Sequence, residues 1–338
     1  MIRLGITMGC PAGVGPDVIV RAAEELQKLS VPVVVLGDPR VLSERAQKIG
    51  VSLNFREVST PLEARPGELS VLSLSELEIE PGRPTLEGFR AMVRYIREGV
   101  GFCLKGQLSA LVTAPISKEG LKAVGEPYPG HTEMLAELTR TREYTMAFYG
   151  ERLSVALVTT HLSLKEVLHS LSVKKILRTA RLAYHFLKED LGLEEPRLAL
   201  SALNPHAGER GLFGSEEKEI LEPAVERARG KGIPLFGPYP ADSLFFRAAS
   251  GEFDMVIALY HDQGLIPFKL LHFRDGVNLT LGLPIVRTSV DHGTAYDIAG
   301  TGKACPRSLI AAARLAYRMA LRRSSPGRAP DDPALPYK

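Results

Sequence analysis

The chain has 338 residues, 45% hydrophobic and 24% charged, which is ordinary globular composition and enough for two domains or one large α/β unit. Its 42 Lys and Arg against 39 Asp and Glu leave a net charge of +3 spread along the chain, with none of the basic blocks that mark a nucleic-acid partner. No apolar run is long enough for a bilayer, the start (Met1-Ile2-Arg3-Leu4-Gly5) lacks a secretion-signal pattern, and three scattered cysteines (Cys10, Cys103, Cys305) form no disulfide framework, so a cytoplasmic setting without membrane contact is expected. In chain order, strand-like apolar runs fall at 2–7, 33–37, 108–113, 146–149, 154–160, 198–203, 255–260 and 277–281. Helical patterns at 15–29, 84–104, 174–191, 215–230 and 307–322 alternate with them, which predicts an α/β fold with a largely parallel sheet. Segment 56–80, with Pro and Glu scattered through it, reads as a loop-rich connection or a pair of edge strands, and 322–338 as a loosely held tail.

Three of the strand-like runs lead straight into a histidine: 154–160 into His161, 198–205 into His206 and 255–260 into His261. Ligands of open α/β sheets bind outside the carboxyl ends of the strands, so three imidazoles at three strand ends are candidates for one site. Three neutral imidazoles are also a sufficient ligand set for a catalytic metal with an open position. A lone strand-end histidine is more often a satisfied core or loop residue; repetition lifts these three. His131 lies in a Gly-bearing polar context, whereas His169, His185 and His272 read as structural. Asp262 adjoins His261, where a carboxylate can orient an imidazole or move a proton. Lys269, Asn278 and Arg287 follow at intervals of nine, as if on successive elements of a hairpin-like stretch, and suit an anionic, phosphorylated substrate.

Glycine-rich segments mark both ends. Thr7-Met8-Gly9-Cys10-Pro11-Ala12-Gly13-Val14-Gly15-Pro16-Asp17 is neither a Walker A loop nor a full Rossmann fingerprint, and alone reads equally well as a tight strand-to-helix turn. Asp291-His292-Gly293-Thr294-Ala295-Tyr296-Asp297-Ile298-Ala299-Gly300-Thr301-Gly302-Lys303-Ala304 reads as a compact loop before a helix. Together they resemble the isocitrate and isopropylmalate dehydrogenase superfamily, in which the late loop holds the adenosine part of NAD(P). That resemblance implies cofactor contacts at His292, Gly293, Thr294, Ala295 and Asp297.

A closer resemblance, to the 4-hydroxythreonine-4-phosphate dehydrogenase family of pyridoxal phosphate biosynthesis, runs to about Ala320. It is carried by residues 8–16, Thr113-Ala114-Pro115-Ile116-Ser117-Lys118, Gly130-His131-Thr132-Glu133, Thr159-Thr160-His161-Leu162, 203–209, Pro240-Ala241-Asp242, 260–269, Asn278, Arg287 and 291–302. It implies a divalent metal (Zn, Mg or Co) on His161, His206 and His261, shared between the subunits of a homodimer. It also implies substrate contacts at His131, Thr132, Lys269, Asn278 and Arg287. Two α/β domains with a cleft between them are implied, one of residues 1–125 plus 287–325 on the nucleotide side, the other of residues 126–286 for metal, substrate and dimerisation, followed by a flexible tail at 326–338. Two positions depart from the pattern: Cys10 replaces a usual acidic residue and Asp17 a frequent Glu.

The expected activity is an NAD- or NADP-dependent oxidation and decarboxylation of 4-phosphooxy-L-threonine, with His131 and Asp262 as catalytic candidates. Asp262 is either the general base or a partner of the metal ligand. A D-threonate or D-erythronate 4-phosphate dehydrogenase shares the same residues. From other classes, a metal-dependent hydrolase or lyase would use the histidines without the late loop, and a non-catalytic metabolite sensor would need only the basic set.

Overall fold

A computed structural model describes residues 1–324, which fall into two compact units, Met1–Arg142 with residues 283–324, and Glu143–Gly282. The tail expected at 326–338 lies outside the described residues. The chain enters the first unit through β1 (Leu4–Thr7), α1 (Gly15–Gln27), β2 (Val33–Gly37), α2 (Pro39–Ile49), β3 (Arg56–Val58), β4 (Leu69–Ser73), α3 (Leu86–Leu104), β5 (Ala110–Thr113), α4 (Lys118–Ala123) and α5 (His131–Leu138). The second unit holds β6 (Thr145–Tyr149), β7 (Val155–Leu157), α6 (Leu164–Ser170), α7 (Val173–His185), β8 (Leu198–Ser201), α8 (Glu222–Arg229), β9 (Leu235–Tyr239), α9 (Ala241–Ala249), β10 (Met255–Ala258), α10 (His261–His272) and β11 (Val277–Leu281). The chain returns to the first unit with β12 (Val286–Val290) and α11 (Arg307–Ser324).

The first unit's sheet has the order β3-β4-β2-β1-β5-β12 and is parallel throughout. Its central strands are buried along their whole length, as strands covered on both faces must be, and so read as unbroken apolar runs such as Val33-Val34-Val35-Leu36. In the second unit the order is β11-β6-β7-β10-β8-β9, with β6 antiparallel to both neighbours and β7, β10, β8 and β9 mutually parallel. Its core gathers Phe148, Leu157, Leu244, Val256 and Phe268.

The mixed α/β class read from the alternation is the observed one, and residues 56–80 supply two strands, of which β3 forms the sheet edge. Several elements differ from expectation. Lys269 lies on helix α10, so it is not part of a hairpin with Asn278 on β11 and Arg287 on β12. Strand β12, Val-Arg-Thr-Ser-Val, looks too polar for a core yet is buried at every position. Tertiary partners satisfy it: Thr288 Oγ1 donates to the Ala312 carbonyl at 2.8 Å and Ser289 Oγ to the Thr113 carbonyl at 3.0 Å. Helix α2 buries only Val41, Leu42, Arg45 and Ala46, a stripe too narrow to stand out, but Asp38 caps it by accepting from the Val41 N–H at 3.1 Å. Arg322 and Arg323, expected in the tail, belong to the last turn of α11.

Candidate active site

In the second unit, β7, β10 and β8 lie side by side and parallel, in that order, so their carboxyl ends deliver His161, His261 and His206 to one edge of the sheet. Hydrogen bonding continues past the strands toward the first two. Val158 N–H donates to the Ala258 carbonyl at 2.9 Å, and the Leu259 carbonyl accepts from Thr159 N–H at 3.2 Å and Thr159 Oγ1 at 2.7 Å. The His161 and His261 ring centroids are consequently 5.9 Å apart. Gln263, which nothing in the sequence singles out, ties β10 to β8. It accepts from Leu259 N–H and donates to the Ala202 carbonyl, both at 2.7 Å.

His261 Nδ1 donates to Asp262 Oδ1 at 2.7 Å, which leaves Nε2 with a lone pair for a metal. Asp262 is thus placed on the imidazole it orients. His206 stands on the loop after β8, where residues 206–210 form a left-handed turn with φ of 52°, 52°, 76°, 44° and 55°. Its ring centroid is 6.4 Å from that of Phe213.

A second set of predicted residues lies in the first unit. Arg287 on β12 is 2% exposed, and its Nε and Nη2 donate to Thr113 Oγ1 at the end of β5, at 3.1 and 2.7 Å. Burial pushes this guanidinium down to about 9, while the Glu133 carboxylate opposes the shift. His131 and Thr132 open helix α5. Burial holds the His131 imidazole well below its ordinary range, with the Arg287 charge adding to the effect, so His131 is neutral at physiological pH. Its buried Nε2 has no hydrogen-bond partner among the described residues. A neutral imidazole beside a buried cation, at a helix start, has the chemistry to receive an anionic group.

The two glycine-rich segments meet, also within the first unit. Val14 N–H donates to the Thr294 carbonyl at 2.9 Å, and a Cβ on Gly13 would stand 2.8 Å from that oxygen, so only glycine permits the approach. The fully buried Arg45–Asp17 pair fastens them further. Arg45 also donates to the Gly13 and Pro11 carbonyls at 2.8 and 3.0 Å, and Asp17 Oδ1 accepts from Gly300 N–H at 2.8 Å. Arg45 carries no sequence signal, since its partners are spread from Pro11 to Asp17 on another element. Cys10 is buried with its Sγ 3.2 Å from the Tyr296 hydroxyl, and burial raises the thiol so that it stays uncharged.

The three histidines read as structural are accounted for locally. His272 is buried, with Nδ1 3.3 Å from Asp275 Oδ1 and Nε2 accepting from Arg152 N–H at 3.2 Å. His169 and His185 lie on helix faces beside the Lys165 carbonyl and Glu189.

These donors fit a divalent metal in part within one chain. Two imidazoles on one tetrahedral ion place their centroids about 5–6 Å apart, from metal–nitrogen bonds of about 2.0–2.1 Å, and His161 and His261 meet that separation. Among the described residues, however, no three His, Cys, Asp or Glu side chains gather closely enough for one ion, so His206 does not close on the pair. The loop at 292–297 leaves room for a nucleotide: none of its residues is buried, His292, Gly293 and Asp297 are exposed, and nothing lies within 4 Å of where a Cβ on Gly293 would be.

A family model described as "Pyridoxal phosphate biosynthetic protein PdxA" matches residues 28–316. A 4-hydroxythreonine-4-phosphate dehydrogenase of Desulforapulum autotrophicum is 47% identical over 319 residues, covering 93% of this chain and 94% of its own. A D-threonate 4-phosphate dehydrogenase of Salmonella typhimurium is 44% identical, covering 94% and 98%. The crystal structure of a 4-hydroxythreonine-4-phosphate dehydrogenase from Klebsiella pneumoniae superposes with a TM-score of 0.85 at 41% identity, over 95% of this chain and all of that one.

Proposed function

From the premise that the chain belongs to the family of the pyridoxal phosphate biosynthetic protein PdxA, we propose that it is an NAD(P)- and divalent-metal-dependent dehydrogenase of 4-phosphooxy-L-threonine. The observation that carries this reading is the delivery of His161, His261 and His206 by three adjacent parallel strands to one sheet edge. The reaction is a two-electron oxidation at C3, in which C3 gives up a hydride and its hydroxyl a proton. The resulting 3-keto acid loses its carboxyl group as CO2 and takes up a proton, giving 3-amino-2-oxopropyl phosphate. When bound, the metal supplies Lewis acidity that lowers the hydroxyl pKa and stabilises the enolate charge, and the nicotinamide supplies the hydride acceptor.

The chain's own residues do the rest. His161, His206 and His261 hold the ion, with Asp262 fixing the His261 tautomer. Arg287, His131 and Thr132 take an anionic group of the substrate; the neutral His131 offers a hydrogen bond there without adding charge. Lys269, half-buried on α10, and Asn278 on β11 are further substrate contacts. His292, Gly293, Thr294, Ala295 and Asp297 receive the nucleotide on the loop that Arg45 and Asp17 brace.

The homodimer and its shared metal site belong to the same proposal. Each histidine-bearing element also presents large apolar side chains to solvent: Leu164 (65%) and Leu168 (50%) on α6 after His161, Leu212 (73%) and Phe213 (47%) after His206, and Ile266 (69%) and Leu270 (84%) on α10 after His261. Such a concentration supports a protein interface, and His206 of a second copy would then complete the pair that one chain leaves short. Three free thiols and no helix, among the described residues, that is long and apolar enough to cross a membrane support a cytoplasmic setting.

A D-threonate 4-phosphate substrate is the second reading, favoured by a relative of that name at 44% identity. The two acids differ at C2, amino against hydroxyl. Initial rates of NADH and NADPH formation on each, with and without chelator, test both. The expected result is metal-dependent reduction of NAD or NADP, faster on phosphooxythreonine; none with either acid and either nucleotide would overturn the dehydrogenase assignment.

A further inference from the structure

We propose that Glu217, at the entry to α8, is a positioning residue whose carboxylate holds the left-handed turn that carries His206; this rests on reading His206 as a metal ligand. The turn itself is the reason to look for a clamp. Four of its five left-handed residues, His206, Ala207, Glu209 and Arg210, are not glycine. Each such residue costs about 1–2 kcal/mol against the right-handed form, so a run of them persists only where its surroundings over-determine it.

Glu217 is 4% exposed, and its hydrogen bonds run to the start of the turn. Its Oε1 accepts from the consecutive Leu203 and Asn204 N–H groups at 2.9 and 2.7 Å, and its Oε2 accepts from Asn204 Nδ2 at 2.8 Å. The same Oε2 lies 2.8 Å from where a Cβ on Gly208 would stand, so the carboxylate also fills the space inside the turn. Asn204 Nδ2 donates in addition to Glu216 Oε2 at 2.8 Å, and Gly214, at φ +136°, leaves no room there for a side chain. Phe213 N–H closes the loop onto the Gly208 carbonyl at 3.1 Å. Glu217 therefore grips the two residues before Pro205 and packs against the one two places beyond His206. A shorter side chain would release the N–H pair that sets the direction in which the chain leaves β8.

The test uses the full-length protein, stripped of metal and titrated with cobalt(II) followed by its visible absorbance, together with amide hydrogen exchange of residues 203–214 in the metal-free state. Four proteins are compared: wild type, His206→Ala, Glu217→Ala and Glu217→Gln. Gln keeps the volume and one acceptor but turns an N–H2 toward Asn204 Nδ2, so it serves where the Ala variant fails to fold. The expected result is loss of tight cobalt binding in His206→Ala, with exchange in α10 unchanged. The Glu217 variants should bind cobalt about 10–100-fold more weakly and exchange faster across 203–214, Gln less affected than Ala. Wild-type affinity and exchange in folded Glu217 variants would overturn the proposal. Wild-type affinity in His206→Ala would instead overturn the ligand reading beneath it, and the exchange data would show separately whether Glu217 holds the turn.

Discussion

Arg287 and His131 show how single residues acquire chemistry from burial. A guanidinium that is 2% exposed has given up most of its hydration, and that desolvation pushes it down to about 9. An anion placed against it favours the charged form that burial disfavours. Sulfate or phosphate at about five times its Kd stabilises the folded state by about 1 kcal/mol, which is about 2 °C in the midpoint of a protein this size. Thermal melts of wild type should show that rise, and Arg287→Met should lack it. His131 makes the opposite kind of prediction. Its folded-state pKa lies below the unfolded value, so as pH falls through about 6.5 the unfolded chain takes up a proton that the folded chain refuses. Stability attributable to His131 is thus fully present above that pH and declines below it. Denaturant midpoints measured between pH 7.5 and 5.5 should fall more in wild type than in His131→Asn.

At the scale of elements, the braces of the site come from residues that look unremarkable in the chain. Arg45 sits on a polar helix, yet it joins the Gly9–Pro16 turn to the late loop through the Gly13 and Pro11 carbonyls and Asp17. Arg45→Met strands the fully buried Asp17 carboxylate and should cost about 3–5 kcal/mol. The double variant Arg45→Met/Asp17→Leu should recover part of that loss in urea melts, while nucleotide affinity stays impaired in both because the loops are no longer fastened. Recovery of nucleotide affinity in the double variant would show that the brace does not shape the proposed nucleotide site. The strand-end histidines were legible because β7, β8 and β10 are aliphatic runs that stop at a histidine. Gln263 and Glu217 were not, since each satisfies backbone groups of another strand end, and nothing local distinguishes them from surface amides and carboxylates. Strand β12 was missed for a related reason: Arg287, Thr288 and Ser289 look solvated until Thr113 and Ala312 appear as their partners.

For the whole molecule, the proposed homodimer answers the shortfall of ligands in one chain. Ile266 and Leu270 are exposed at 69% and 84% on the helix that begins at His261. Replacing both with Glu should halve the mass seen by analytical ultracentrifugation and abolish metal-dependent NADH formation, with the circular dichroism spectrum unchanged. A variant that stays dimeric and active would place the interface elsewhere.

The sequence by itself determined the α/β class, the strands that end in His161, His206 and His261, and the family, because buried parallel strands and glycine-rich turns are local patterns. Only the tertiary structure decided that these three strands are neighbours, that the glycine-rich turn and the late loop touch, and that Arg287 is buried beside a neutral His131. Those facts depend on strand order and on pairs as distant in sequence as Asp17 and Gly300, whose attraction appears only once the sheet has brought them together.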